Sequence, residues 1–514
     1  MNIVNTLVQN TSRHPEKMAI TFEDRTYTYS EFNKLVNRFA NGLLIQGVKK
    51  GEKIALMMKN SDSFAISYYA CAKIGAVIVP MNFRLVEREV SYILNQSESV
   101  LVICDQEYEA LVQEAKSEIS HVRQVITVEK PTIIGNLSIE AVLSDKDDEP
   151  PIEIRNTDDL HILYTSGTTG NPKGAVFDHQ RVTNVIVSLM GTLGYHSEEK
   201  FIHIAPLFHA AQLVICLTSS LFIGASNVIH REFNPAAIFR DIAKYKISTF
   251  FAVPTMYMFL LQFPDKDQYD VSSIKRFLYG AAPMSGDQVK ACMSFFKSQN
   301  FYSLCGLTEA GPSGIYLSPE DHQAKVGSAG KNALFLNEVK LVAPNGQETK
   351  PGEVGELIFK GRTIMKEYYK KTKETAETIR DGWLYTGDLG IKDEDGYVYI
   401  VDRSKDMIIT GGENVYSVEV ENVLHSHPQI QDVAIIGSPD PKWGEVVTAV
   451  IVRKTGETID QTELEAFCRR HLSAYKIPRK VIFKDELPRN ASGKLLKFRL
   501  RETINNVNPN YAAK

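Results

Sequence analysis

"LHILYTSGTTGNPKG", Leu160 to Gly174, runs an apolar segment into a loop with four hydroxyl residues after Tyr164, three glycines and one lysine. Asp158 and Asp159 precede it, so the stretch reads as a strand entering a glycine-rich loop. Backbone N–H groups of such a loop can cradle phosphate oxygens, because glycine permits tight turns and close approach. Thr165, Ser166, Thr168 and Thr169 add donors, and Lys173 adds charge. The GxxxxGK[ST] pattern of a Walker A loop does not occur. A generic Gly/Ser/Thr loop is more often a flexible turn, so the surrounding chain must decide.

Upstream, Phe32, Leu35, Val36, Phe39 and Leu43 recur at helical spacing, Gly47 stops the run, and "KIALMM" follows as a strand. The rhythm continues through helical "SFAISYYACAKIG", strand "AVIVP", helical "LVEREVSYILNQ" and the continuous apolar strand "SVLVICD". It predicts parallel-rich α/β layers. Between Ser328 and Gly361 short strands with an Asn345-Gly346 hairpin signal predict a β-rich module. Beyond "DGYVYIVDRSKD" a helix, two strands, a helix and a strand predict a small α+β domain. The expected division is 1–402 for the large domain and 403–514 for the small one.

At 514 residues the chain exceeds one ordinary core, and length alone suggests roughly three folding units or one large composite. Hydrophobic residues are 43%, charged residues 23% and the formal net charge −4, a globular balance with no basic field for nucleic acid. The six cysteines form no CxxC pair and no metal-ligand spacing with histidine, which reads as reduced thiols. The start, "MNIVNTLVQNTSRHPEK", lacks a secretory pattern, and a cytoplasmic protein is expected. Gln212 to Ile229, the most apolar stretch, is broken by Thr218, Ser219, Ser220 and Ser226. It predicts a buried helix followed by a strand, not a transmembrane segment.

"YTSGTTGNPKG" resembles the signature loop of the adenylate-forming superfamily, which includes the acyl-CoA synthetases. The resemblance continues in the family's order through "APLFHA" (Ala205 to Ala210), "YGAAPM" (Tyr279 to Met284), "GLTEAG" (Gly306 to Gly311), "WLYTGDLG" (Trp383 to Gly390), "DRSKDMIITGGENVYSVEVE" (Asp402 to Glu421) and "LPRNASGKLLK" (Leu487 to Lys497). It covers nearly the whole chain. It implies that a carboxylate, a poor acyl donor by itself, attacks the α-phosphate of ATP to give an acyl adenylate, which a thiol then converts to a thioester. Fixed donors, magnesium and a lysine suit the charge that develops.

By the same resemblance, Thr165, Ser166, Gly167, Thr168, Thr169, Gly170 and Lys173 would hold the phosphates that leave as pyrophosphate. Thr308 would donate to the α-phosphate and Glu309 would hold Mg2+. Gly280, Ala281 and Ala282 would pass along the adenine, and Asp388 would accept from the ribose hydroxyls with Arg403 as a second ribose contact. Lys494 would neutralise the carboxylate and the bridging oxygen in the first step, and His209 would arrange the carboxylate. Lys405 matches the hinge about which the mobile small domain turns between half-reactions, and Gly411 and Gly412 would line the pantetheine channel of CoA. Each has a blander reading alone: a surface Thr-Glu pair, a turn, a tight strand end, a core histidine, a solvent-facing lysine. Cys305 stands where the family usually has an adenine-stacking aromatic. Tyr302 is three residues away, and a small buried thiol is the commoner reading of Cys305 than a nucleophile.

"AQLVICLTSSLFIG" and "VPTMYMFLLQF" carry no charge to meet an amino acid's ammonium or a second carboxylate. An apolar monocarboxylate, most simply a medium- or long-chain fatty acid, is therefore the expected partner of ATP and CoA. An aromatic or other small carboxylate, an acyl-AMP ligase that loads a carrier protein, and a catalytically silent acyl- or nucleotide-binding regulator are the alternatives. Oligomeric state is open, a homodimer included.

Overall fold

The opening stretch folds as the arms of an antiparallel hairpin. Asp159–Thr165 pairs with Lys173–Asp178, placing Tyr164 opposite Gly174 and Thr165 opposite Lys173. Leu160 to Leu163 are buried in succession, as for a strand covered on both faces. The computed structural model describes residues 2–165, 172–282, 284–489 and 495–506. Ser166, Gly167, Thr168, Thr169, Gly170 and Lys494 lie outside the described residues.

The chain forms two compact units, Met1–Gln323 with Asn332–Val339 and Phe359–Leu384, and Ala324–Lys331 with Lys340–Ile358 and Tyr385–Lys514. The first unit contains β1 (Met18–Phe22), β2 (Arg25–Thr28), β3 (Lys53–Met57), β4 (Val77–Pro80), β5 (Ser99–Cys104), β6 (Gln124–Thr127) and β7 (Leu137–Ser138), then β8 and β9 of the hairpin. β10 (Lys200–His203), β11 (Ser226–Ile229), β12 (Thr249–Ala252), β13 (Arg276–Gly280), β14 (Phe301–Gly306), β15 (Gly314–Leu317) and β16 (Asn332–Ala333) follow.

These make two sheets. One runs β16-β15-β14-β13-β12-β10-β11-β1-β2, and the other β9-β8-β4-β3-β5-β6-β7 with Glu367–Tyr368 added at β9. The interiors are largely parallel and covered by helices, as the sequence rhythm predicts. In the helix Tyr29–Ile45, Thr28 and Glu31 form a capping box, and Phe32, Val36, Phe39 and Leu43 are buried, which is the periodicity that marks a core-facing stripe. Strand order reverses at β10, with β11 on one side and β12 on the other, and at β3, flanked by β4 and β5. The carboxyl ends at such reversals form the crevice where α/β proteins bind ligands. Asn60, just past β3, ties the two reversals together. Its side chain donates to Ala205 O at 2.8 Å and accepts from Leu207 N–H at 2.7 Å, fixing the loop that follows β10.

The apolar stretch after His209 is helical and buried, and β11 follows it, but Ala211–Thr218 is a π-helix before the α-helical turn Ser219–Ile223. The wider register has a local cause. Thr218 Oγ1 and Ser219 Oγ both donate to Val214 O, at 3.2 and 2.7 Å, and such hydroxyls compete with the backbone ladder. No helix among the described residues is long and apolar enough to cross a membrane.

In the second unit, the Asp388 to Lys392 part of the strand Trp383–Lys392 runs antiparallel to Val398–Arg403, and Asn345-Gly346 turns the chain back so that Ala343 N–H reaches Gln347 O at 2.8 Å. A separate sheet holds Ile408–Thr410, Glu413–Val415, Ile430–Asp440, Gly444–Arg453 and Lys480–Phe483. Its long strand alternates faces, as a strand must. Val433 and Ile435 pack with Val420, Leu424, Leu464 and Cys468, while Ala434 and Ile436 pack with Leu487 and Leu500. The small domain is α+β, as expected.

Candidate active site

In the first unit the motif residues gather at carboxyl ends of strands. Thr308–Ala310 is a single 3-10 turn directly after β14, and Glu309 is buried. Its Oε1 accepts from Tyr368 Oη at 2.7 Å and from Thr165 Oγ1 at 3.3 Å, so the hairpin and the Thr-Glu turn meet at one oxygen. Burial, reinforced by the Glu309 charge, raises the Tyr368 phenol well above its ordinary range, which keeps it a donor. Lys173 Nζ lies 4.4 Å from the centroid of the Tyr368 ring. Tyr368 belongs to none of the quoted motifs, and its place between Lys173 and Glu309 could not be read from spacing.

Gly311 closes the turn at φ 73° in the left-handed region, where a Cβ would lie 2.5 Å from Thr363 O. Gly311→Ala is therefore expected to cost about 2 kcal/mol or more and to raise KM for MgATP by displacing Glu309. A thermal melt and ATP-dependent kinetics check both parts.

Gly280 ends β13, and a Cβ there would meet Leu304 O of β14 at 2.3 Å. This close strand approach explains the glycine without a ligand, while Ala281 holds a left-handed φ of 66°, an unusual backbone that exposes the edge before Ala282. Cys305 is half-buried, whereas the other five cysteines are buried, so the expectation of a buried thiol is corrected. Tyr302 lies three positions earlier on the same strand, and an odd separation places it on the opposite face. It cannot substitute for the missing aromatic. His209 sits half-buried in the loop after β10, its Nδ1 accepting from Ala211 N–H at 3.4 Å.

In the second unit, Asp388 and Arg403 are register partners on adjacent strands, and Arg403 Nε is 2.8 Å from Asp388 Oδ1. The two expected ribose contacts are one ion pair. The Lys405 side chain is exposed to solvent, yet partial desolvation by the residues around it, opposed in part by Asp406, brings its ammonium down to about 8. Gly411 and Gly412, at φ 60° and 88°, form the two-residue turn between Ile408–Thr410 and Glu413–Val415, a geometry that demands positive φ at both positions. A Cβ on Gly411 would also lie 2.7 Å from the Trp443 ring. The glycine thus serves packing as well as any channel, whereas a Cβ on Gly412 would meet open space.

The donor set fits magnesium. Among the described residues no group of three or more His, Cys, Asp or Glu could hold a metal by itself. A single oriented carboxylate suits an ion that keeps water and substrate phosphates for most of its shell.

A family model described as "AMP-binding enzyme" matches residues 7–369, and one described as "AMP-binding enzyme C-terminal domain" matches 419–494. The class is that of AMP-forming acid–CoA ligases, whose cosubstrates are ATP with Mg2+ and CoA. The chain belongs to the AMP-binding enzyme family, within the acyl-CoA synthetases of the adenylate-forming superfamily. It is 37% identical over 496 residues to a feruloyl-CoA synthase of Amycolatopsis, covering 96% of this chain and 97% of that protein. It is 36% identical over 482 residues to the long-chain-fatty-acid–CoA ligase FadD13 of Mycobacterium tuberculosis, covering 93% of each. Among solved structures, the o-succinylbenzoate CoA synthetase of Bacillus subtilis with ATP and magnesium superposes with a TM-score of 0.86 at 31% identity, covering 96% of this chain and 99% of that one.

Proposed function

We propose that the chain ligates an apolar monocarboxylic acid to CoA, most simply a medium- or long-chain fatty acid. The carrying observation is the element after His209: Ala211–Ile223 is buried almost throughout and contains no charged side chain, and Pro254–Gln262, after β12, contains none either. Both leave the carboxyl edge of the sheet beside the strand-order reversal. A charged substituent there would lack a partner and pay for desolvation.

In the first step a carboxylate oxygen attacks the α-phosphorus and the bond to pyrophosphate breaks; in the second, the CoA sulfur attacks the acyl carbon and AMP leaves. Thr165, Lys173 and the loop between them hold the departing phosphates, and Thr308 donates to the α-phosphate. Glu309 holds the magnesium, which when bound neutralises phosphate charge. Gly280, Ala281 and Ala282 flank the adenine, Asp388 and Arg403 grip the ribose, and His209 orients the carboxylate. Lys494 serves adenylation, Lys405 is the hinge of a moving 403–514 domain, and Gly411 and Gly412 face the pantetheine arm.

A second reading, an aromatic carboxylate as substrate, is favoured by the 37% identity to the feruloyl-CoA synthase. Incubating the protein with ATP, Mg2+, CoA and a panel of saturated acids from acetate to palmitate plus hydroxycinnamates, followed by mass spectrometry, separates them. Acyl-CoA peaking at a medium or long chain is the expected result. A peak at hydroxycinnamates replaces it with the aromatic reading, and acyl-AMP without thioester points to a carrier-protein acceptor.

A further inference from the structure

The phenol of Tyr368 joins the two charged groups placed on the phosphates. Its hydroxyl donates to Glu309 Oε1 at 2.7 Å, and its ring seats Lys173 Nζ at 4.4 Å. Tyr368 is 3% exposed and is fixed from both sides: its N–H donates to Thr375 Oγ1 at 3.0 Å, and it pairs with Ala175 of β9. Three residues earlier, Met365 N–H donates to Glu309 O at 2.8 Å, so one short segment holds both the backbone and the carboxylate of Glu309.

We infer that Tyr368 is the positioning residue of the magnesium carboxylate and the resting platform of Lys173. The inference rests on the magnesium role proposed above for Glu309. Tyr368 and Thr165 both bond Oε1, and among the described residues no hydrogen bond reaches Oε2, so pinning one oxygen aims the other. Outer partners of this kind set the direction and basicity of a metal-binding carboxylate. The ring solves a second problem. Were Lys173 to pair with Glu309, each would neutralise the charge the other needs for its ligand. An aromatic face attracts the ammonium while leaving its charge intact, and among the described residues Lys173 has no ion pair. The triphosphate then draws Lys173 off the ring without breaking a salt bridge.

The test is calorimetric titration of a non-hydrolysable ATP analogue into the full chain, with Mg2+ and with EDTA, for the parent, Tyr368→Phe, Tyr368→Leu and Glu309→Gln. Tyr368→Phe keeps the ring and removes the donor. It is expected to lose about 10–100-fold of the magnesium-dependent gain in affinity, with affinity in EDTA and conversion of preformed acyl-AMP plus CoA close to the parent. Tyr368→Leu is expected to lose affinity in EDTA as well, because the unseated Lys173 is no longer held at the loop. A parental magnesium gain in Tyr368→Phe, alongside its loss in Glu309→Gln, overturns the positioning role alone. Retention of the gain in Glu309→Gln overturns the Glu309 assignment and the inference with it.

Discussion

Lys494→Ala is expected to slow acyl-adenylate formation by about 10²–10³-fold, the usual cost of one transition-state charge partner, while conversion of preformed acyl-AMP with CoA stays within a few-fold of the parent. In adenylation two anions meet, a carboxylate and the α-phosphate, and negative charge grows on the oxygen that leaves with pyrophosphate. An ammonium placed there is worth more in the transition state than in the ground state, so its loss falls on kcat. In thioester formation the leaving group is AMP, and the Gly411-Gly412 turn, not Lys494, is the part proposed to face the incoming arm. Pyrophosphate release measures the first step and mass spectrometry of acyl-CoA from supplied acyl-AMP the second. Equal loss of both would sink the proposal that different faces of the 403–514 domain serve different steps.

Much of the architecture was legible because local periodicity and burial agree: Phe32, Val36, Phe39 and Leu43 write a helix face, and Leu160 to Leu163 a covered strand. The motifs were legible because they sit in loops at strand ends, where each residue answers to a ligand or a turn. What stayed hidden depends on distant partners. The π-register of Ala211–Thr218 follows from two hydroxyls converging on Val214 O, which helical spacing cannot show. Gly411 reads as channel lining until Trp443 is found against it. Tyr368 lies 195 positions beyond Lys173 and 59 beyond Glu309 in the chain, and only the pairing of Glu367–Tyr368 with β9 brings the three together. The Asp388–Arg403 pair is a product of strand register that neither motif reveals.

Lys497, three residues past Lys494, carries the second large effect. Its ammonium lies 2.7 Å from Glu421 Oε1 and 2.5 Å from Ser417 Oγ. Ser417 in turn donates through its N–H and hydroxyl to Asp402, the residue before Arg403. Lys497 and Glu421 side chains are only 11% and 13% exposed, and burial holds both the Glu421 and Asp402 carboxyls above their ordinary range, with Lys497 pulling them back. Lys497→Met leaves those two acids without their cation and is expected to destabilise the second unit by about 3–5 kcal/mol, the cost of breaking rather than replacing a buried pair. Removing both partners in Lys497→Met/Glu421→Leu should recover at least half. A carboxyl whose folded pKa is raised contributes stability below its unfolded pKa and loses it as pH rises through the folded one. Losing Lys497 raises both acids further, so the deficit should be smallest near pH 5 and grow towards pH 8. Urea unfolding followed by Trp443 fluorescence in a Trp383→Phe background reports this unit, since these are the chain's two tryptophans. A deficit below about 1 kcal/mol, the range of an exposed pair, or one that shrinks as pH rises, would show that the Lys497 cluster is solvated and does not tie the start of the helix Lys497–Asn506 to the Val398–Arg403 strand.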